Sequence, residues 1–209
     1  MLKHIGATLA AALAATAALT LTASAAAPAA PAATAAAAPG FLNARDLPPH
    51  PTSPWFAGPV TKGLPEFPGL CLEGGALPAA GAWHRSFGTE YDTGADQISV
   101  RASSDAAAAK LAAALERRLA GCAADWLRAH PGGTASWQDY GRIKVEEGAH
   151  VYGVHTSLPE SEPGVHLFGV GRDGRTVTVV RWGQMGHLGD APVPAFKRTT
   201  TIAVNRLAP

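Results

Sequence analysis

The chain has 209 residues, and its 17 Lys and Arg stand against 16 Asp and Glu; Lys3 is the one basic residue in a leader that contains no acid. Without that leader the two signs balance, so no counterion-release term favours phosphate backbones or anionic lipid, and nucleic acid and membrane surfaces are poor partners. Two cysteines also fall short of a soft-ligand metal centre.

Met1, Leu2, Lys3 and His4 precede apolar or small residues from Ile5 to Thr22, and Ala23-Ser24-Ala25 forms a small-x-small cleavage pattern. Residues 1–25 are therefore predicted to be a secretory signal peptide. An uncleaved anchor is the competing assignment, disfavoured because the apolar run is short and mostly alanine. Cleavage leaves no segment for membrane insertion and no cysteine near the new terminus to accept a lipid, so a secreted, extracellular chain is expected. Residues 26–39, "AAPAAPAATAAAAP", have no charge and no large apolar group, which predicts an Ala/Pro-rich linker. Residues 40–209 have the composition of a single folded domain. Its cysteines, Cys71 and Cys122, most simply pair with each other in an oxidising compartment; two free thiols or an intermolecular bridge are the other arrangements.

Within the domain, residues 41–80 hold too many prolines for long regular structure, although Asn43 can cap one short helical turn. Trp55, Phe56, Phe67, Leu70 and the Cys71 bridge are the expected pins for this arm. A hairpin follows: a strand from Trp83 to Tyr91, a turn at Asp92 to Asp96 ("DTGAD"), and a return strand "QISVR". Ser103-Ser104-Asp105 then caps a long helix that Pro131-Gly132-Gly133 ends. Leu111, Leu115, Leu119, Cys122 and Trp126 recur at helical spacing, which puts Cys122 on the buried face and ties the arm to the core side of the helix.

"SWQDYGRIKVEE" and "AHVYGVHTS" read as two strands about a turn near Glu147-Gly148. Asp173-Gly174 between two β-branched runs predicts a further hairpin, in which Val170 faces Val177, Phe168 faces Val179 and His166 faces Arg181. Leu167 with Val180 and Val165 with Trp182 occupy the opposite face. A pair apolar on both faces should be central and covered twice. Asp190 is expected to cap a final helix with Val193, Phe196, Thr200, Ala203 and Leu207 on one side. The predicted class is α+β: a mostly antiparallel sheet of about six strands, one long helix, a C-terminal helix and one disulfide.

The single-cysteine helix "LERRLAGCAADWL", the stretch "GRDGRTVTVVRWGQMG" and the closing "APVPAFKRTTTIAVNRL" resemble exported actinobacterial sensor-domain-containing proteins. These are similar to the extracellular domain of mycobacterial serine/threonine kinases of the PknH type. The resemblance implies an α+β domain with a cleft, a structural disulfide, and sensing or binding of an envelope ligand.

Seven histidines follow the leader, but His150 and His155 sit an odd number of residues apart on one predicted strand and so point to opposite faces. The two carboxylates of "DTGAD" fall short of a calcium shell, and no G-x-S-x-G elbow is present. No catalytic residue, metal site or cofactor is therefore expected. His166 beside Arg181 suggests an anion-accepting spot, and the glycine-broken loop 181–190 offers Trp182, Gln184 and His187 as ligand-binding groups. The expected function is non-catalytic binding or sensing of a small ligand or envelope component by a monomer. A secreted hydrolase with a dispersed site, and an interaction or inhibitor protein using the proline-rich arm, are the alternatives.

Overall fold

The computed structural model describes residues 37–207; the predicted signal peptide, and all but the last three residues of the predicted linker, lie outside the described residues. Among the described residues the elements run β1 (Phe56–Ala57), β2 (Thr61–Lys62), β3 (Ala82–Gly88), β4 (Gly94–Arg101), α1 (Asp105–Ala129), β5 (Thr134–Ile143), β6 (Ala149–Ser157), β7 (Gly164–Asp173), β8 (Thr176–Met185) and α2 (Val193–Asn205). All eight strands join one antiparallel sheet in the order β1-β3-β4-β8-β7-β6-β5, with β2 also on β3. Six of them are the long strands expected; the two short ones come from the arm, where prolines interrupt the pairing.

The β7–β8 pair lies inside the sheet, and helices cover both of its faces. After β4, α1 crosses one face to deliver the chain to the edge strand β5, packing on β5, β6, β7 and β8. Its buried Leu115, Leu119 and Cys122 meet Ile98, Tyr152, Phe168 and Val179 in one core. On the other face α2 contributes Phe196 and Ala203 to a second core with Val151, Leu167, Val180 and Trp182. Ser104 caps α1 as predicted, its Oγ accepting the Ala107 amide at 3.1 Å. Asp190 does not cap α2: Pro192 takes that position, and Asp190 closes a short 3-10 turn in which its Oδ2 accepts the His187 amide at 2.8 Å.

Register departs from expectation at both hairpins. Asp173 pairs with Thr176, so the loop is Gly174-Arg175, and Val170 faces Val179, Phe168 faces Arg181 and His166 faces Gly183. Gly174 takes the positive φ (51°) while Arg175 does not, which is what a loop with glycine in its first position requires. A shift of two keeps every side chain on its predicted face. In the first hairpin the loop is Thr89–Thr93, and Gly94, Ala95 and Asp96 belong to β4 rather than to a turn. Burial of Ala95 at 1 % exposure in the second core outweighs the turn propensity of its neighbours.

The arm is held differently from the expected pattern. Phe56 and Phe67 are 54 % and 76 % exposed, and the buried anchors are Phe41, Leu42, Leu47, Leu72 and Leu77. The Cys71–Cys122 disulfide does fasten the arm to the inner side of α1, with the two Cα atoms 5.5 Å apart. A second fastening is polar. Gln97, fully buried on β4, accepts the Leu42 amide at 2.7 Å and donates to Thr178 Oγ1 at 3.2 Å. Gln97→Leu strands that amide and is expected to cost about 2 kcal/mol, read as a lower urea midpoint at unchanged slope.

Candidate functional site

Along β8 the side chains alternate, so Trp182 and Gln184 face α2 while Arg181 and Gly183 face the α1 side. The five sequence-predicted residues thus divide into three places. Trp182, 3 % exposed, and Gln184 form the floor of a recess of about 150 Å³ together with Thr93. Gln184 Oε1 accepts from the Thr93 hydroxyl at 3.4 Å. The arm supplies the walls through Pro48, Pro49, Pro51 and Trp55, and Asp190 and Pro192 complete the rim. Trp55 is fixed by its indole N–H, which donates to the Pro48 carbonyl at 2.6 Å.

His50 also lines the recess. Its ring stacks on Tyr91 with centroids 5.5 Å apart, and its Nδ1 accepts the amides of Thr52 (3.3 Å) and Ser53 (3.1 Å). Those two bonds put the ring hydrogen on Nε2. Pro49, His50 and Trp55 also line a larger groove, about 720 Å³, whose other wall is the Ala195, Arg198, Thr199 and Ile202 face of α2. The groove persists because α2 grips the arm at its start: Thr199 Oγ1 donates to the Asp46 carbonyl at 2.5 Å and Arg206 pairs with the Asp46 carboxylate at 2.6 Å.

His166 and Arg181 lie on the opposite face of the sheet. Arg181 is already paired, its Nη2 standing 2.5 Å from Asp96 Oδ2 on the neighbouring strand. His166 packs over Gly183, where a Cβ would come within 2.5 Å of its Nδ1, and that nitrogen is buried without a hydrogen-bond partner among the described residues. Burial first, and the Arg181 charge second, lower the imidazole pKa to about 4. The expected anion-accepting spot is thus an imidazole held neutral beside the Arg181–Asp96 ion pair. His187 belongs to neither group; its Nδ1 stands 3.1 Å from Nε2 of His155, with the rings 5.0 Å apart. Burial and the neighbouring His187 charge hold His155 below the usual histidine range.

A polar array on the α1 face was not legible in the sequence. His150 Nε2 lies 2.7 Å from Asp139 Oδ1, its Nδ1 lies 2.8 Å from the Tyr152 hydroxyl, and Glu116 of α1 stands 3.4 Å from the same nitrogen. A β-bulge at Asp139–Gly141 delivers the carboxylate to the ring. Burial pushes the Asp139 carboxyl up, but the His150 hydrogen bond, the Gly141 amide and the charges of His150 and Arg142 hold it below its ordinary value. Tyr152 is raised, by burial first and then by the Glu116 and Asp139 charges, so its phenol stays protonated and donates. The array binds α1 to the β5–β6 edge. The sequence signal was the His150-x-Tyr152 spacing, which puts both rings on one strand face; the Asp139 partner depends on the bulge.

Among the described residues no three His, Cys, Asp or Glu side chains gather closely enough to hold a metal ion, and no helix is long and apolar enough to cross a membrane. No known protein family matches the chain. No curated protein matches it either. Among solved structures, the extracellular domain of PknH from Mycobacterium tuberculosis is similar with a TM-score of 0.39 and 11 % sequence identity, over 69 % of this chain and 82 % of that one.

Proposed function

We propose that this chain is an exported, non-catalytic binding or sensing module whose ligand seats in the recess between the proline-rich arm and β8. The observation that carries the reading is the recess itself: Trp182, Gln184 and Thr93 form a mixed apolar and polar floor under a rigid roof of prolines and Trp55. Export is supported by the Cys71–Cys122 disulfide, since such bonds persist in oxidising compartments. Arg181 and His166, on the far face, are left out of the binding surface.

The test is thermal denaturation and tryptophan fluorescence of the purified chain with envelope glycans, lipids, peptides and divalent metals. A saturable rise in melting temperature, accompanied by a change in indole emission, is expected from one class. If no class raises the melting temperature, the binding reading is lost. A second reading, protein–protein interaction through the arm, is favoured by Phe56, Val60 and Phe67, which are 54 %, 39 % and 76 % exposed on one short stretch. Recovery of a secreted partner that depends on Phe67 would support it.

A further inference from the structure

We infer that the ligand of the recess is an uncharged polyhydroxylated ring, the end unit of a neutral glycan; this rests on the binding reading above. The chemistry of the lining carries it. Among the described residues neither Lys nor Arg lines the recess, while the Asp190 carboxylate does. An anion would meet that negative charge in a partly dehydrated site with no cation to balance it. An ammonium would meet two hydrogen-bond donors instead, the Nε2–H of His50 and the side-chain NH2 of Gln184, which bonds no group among the described residues.

What remains is a set of donors and acceptors of mixed sense: an N–H, an amide, the Thr93 hydroxyl and one free oxygen of Asp190, whose Oδ2 is taken by the His187 amide. Hydroxyl groups satisfy such a set because each both donates and accepts. The rest of the wall is flat and apolar, built of proline rings and the Trp55 indole, and suits the C–H face of a sugar ring. Size agrees. The 150 Å³ recess takes a single ring, and the 720 Å³ groove that shares Pro49, His50 and Trp55 with it has room for the units that follow.

The experiment is titration calorimetry of the intact chain with four probes: neutral trisaccharides (maltotriose, xylotriose and the N-acetylglucosamine trimer), a uronic-acid trisaccharide, spermidine and a proline-rich peptide. Saturable binding of a neutral trisaccharide is expected, weakened about tenfold in Gln184→Leu and in the isosteric Gln184→Glu. Circular dichroism and a free-thiol count establish that each variant is folded with its disulfide closed. If spermidine, the uronic acid or the peptide is instead the only probe whose binding depends on Gln184, the glycan assignment is overturned while the recess keeps its binding role. If no probe saturates, or if a trisaccharide binds both variants as tightly as it binds the parent, the recess itself loses that role.

Discussion

Double replacement of the disulfide, Cys71→Ser with Cys122→Ser, is expected to lower the stability of the domain by about 4 kcal/mol and its melting temperature by on the order of 10 °C. The bridge closes a separation of 51 residues, so its removal returns a large loop-closure entropy to the unfolded chain. It also releases the stretch around Leu70 and Leu72, which packs on the α1 core, and frees Arg118 from the Cys71 carbonyl, to which its Nε donates at 2.6 Å. Urea titration of the oxidised chain, the reduced chain and the double variant checks this. Reduced and double-variant chains should unfold at the same, lower midpoint. A midpoint equal to that of the oxidised chain would show that the arm is held by its apolar anchors alone.

Acid should destabilise the fold through His166 by about 3 kcal/mol as the pH falls from 6.5 to 4. The folded-state pKa of about 4 lies below the ordinary value of 6.5, so across that window the unfolded chain binds the proton and the native chain refuses it. Stability therefore rises with pH through the window and is lost below it. The refusal has a geometric cause, since the buried Nδ1 has no partner among the described residues to accept a new N–H and Arg181 is close by. His166→Gln removes the titration. The difference in unfolding free energy between pH 7 and pH 4 should be about 3 kcal/mol smaller in the variant than in the parent, carboxylate contributions being common to both. Equal differences would place the acid sensitivity elsewhere.

The order of elements, the doubly covered β7–β8 pair and the bridged helix were readable because each follows from local pattern: β-branched runs about a glycine turn, a stripe at helical spacing, and a pair of cysteines. Where pattern was absent the reading failed. In the arm no periodicity separates Phe67, exposed, from Leu42, buried, and the anchoring of Leu42 by Gln97 joins residues 55 positions apart. "DTGAD" looked like a turn because its residues are turn formers, but Asp96 answers to Arg181, 85 positions away. Part of the candidate site was legible. Trp182 and Gln184, two apart on a strand, necessarily share a face, and Arg181 between them necessarily faces away. That alternation alone separates Arg181 from Trp182 and Gln184. The roof of the recess was not, since His50 and Trp55 reach it only through the path that the arm takes over the sheet.

Gly40 at the head of the arm lies so close to Arg206 that a Cβ there would stand 2.0 Å from the Arg206 carbonyl, and Arg206 Nη1 donates to the Phe41 carbonyl at 2.9 Å. Entry and exit of the fold are therefore neighbours. A domain built this way can be spliced into a surface loop of a host protein, or circularly permuted through a short joint, without any connector having to span the sheet. Tension applied between its two ends would unzip the arm from α2 first, drawing Leu42 and Leu47 out of the second core and opening the roof of the recess while the core under α1 stayed closed.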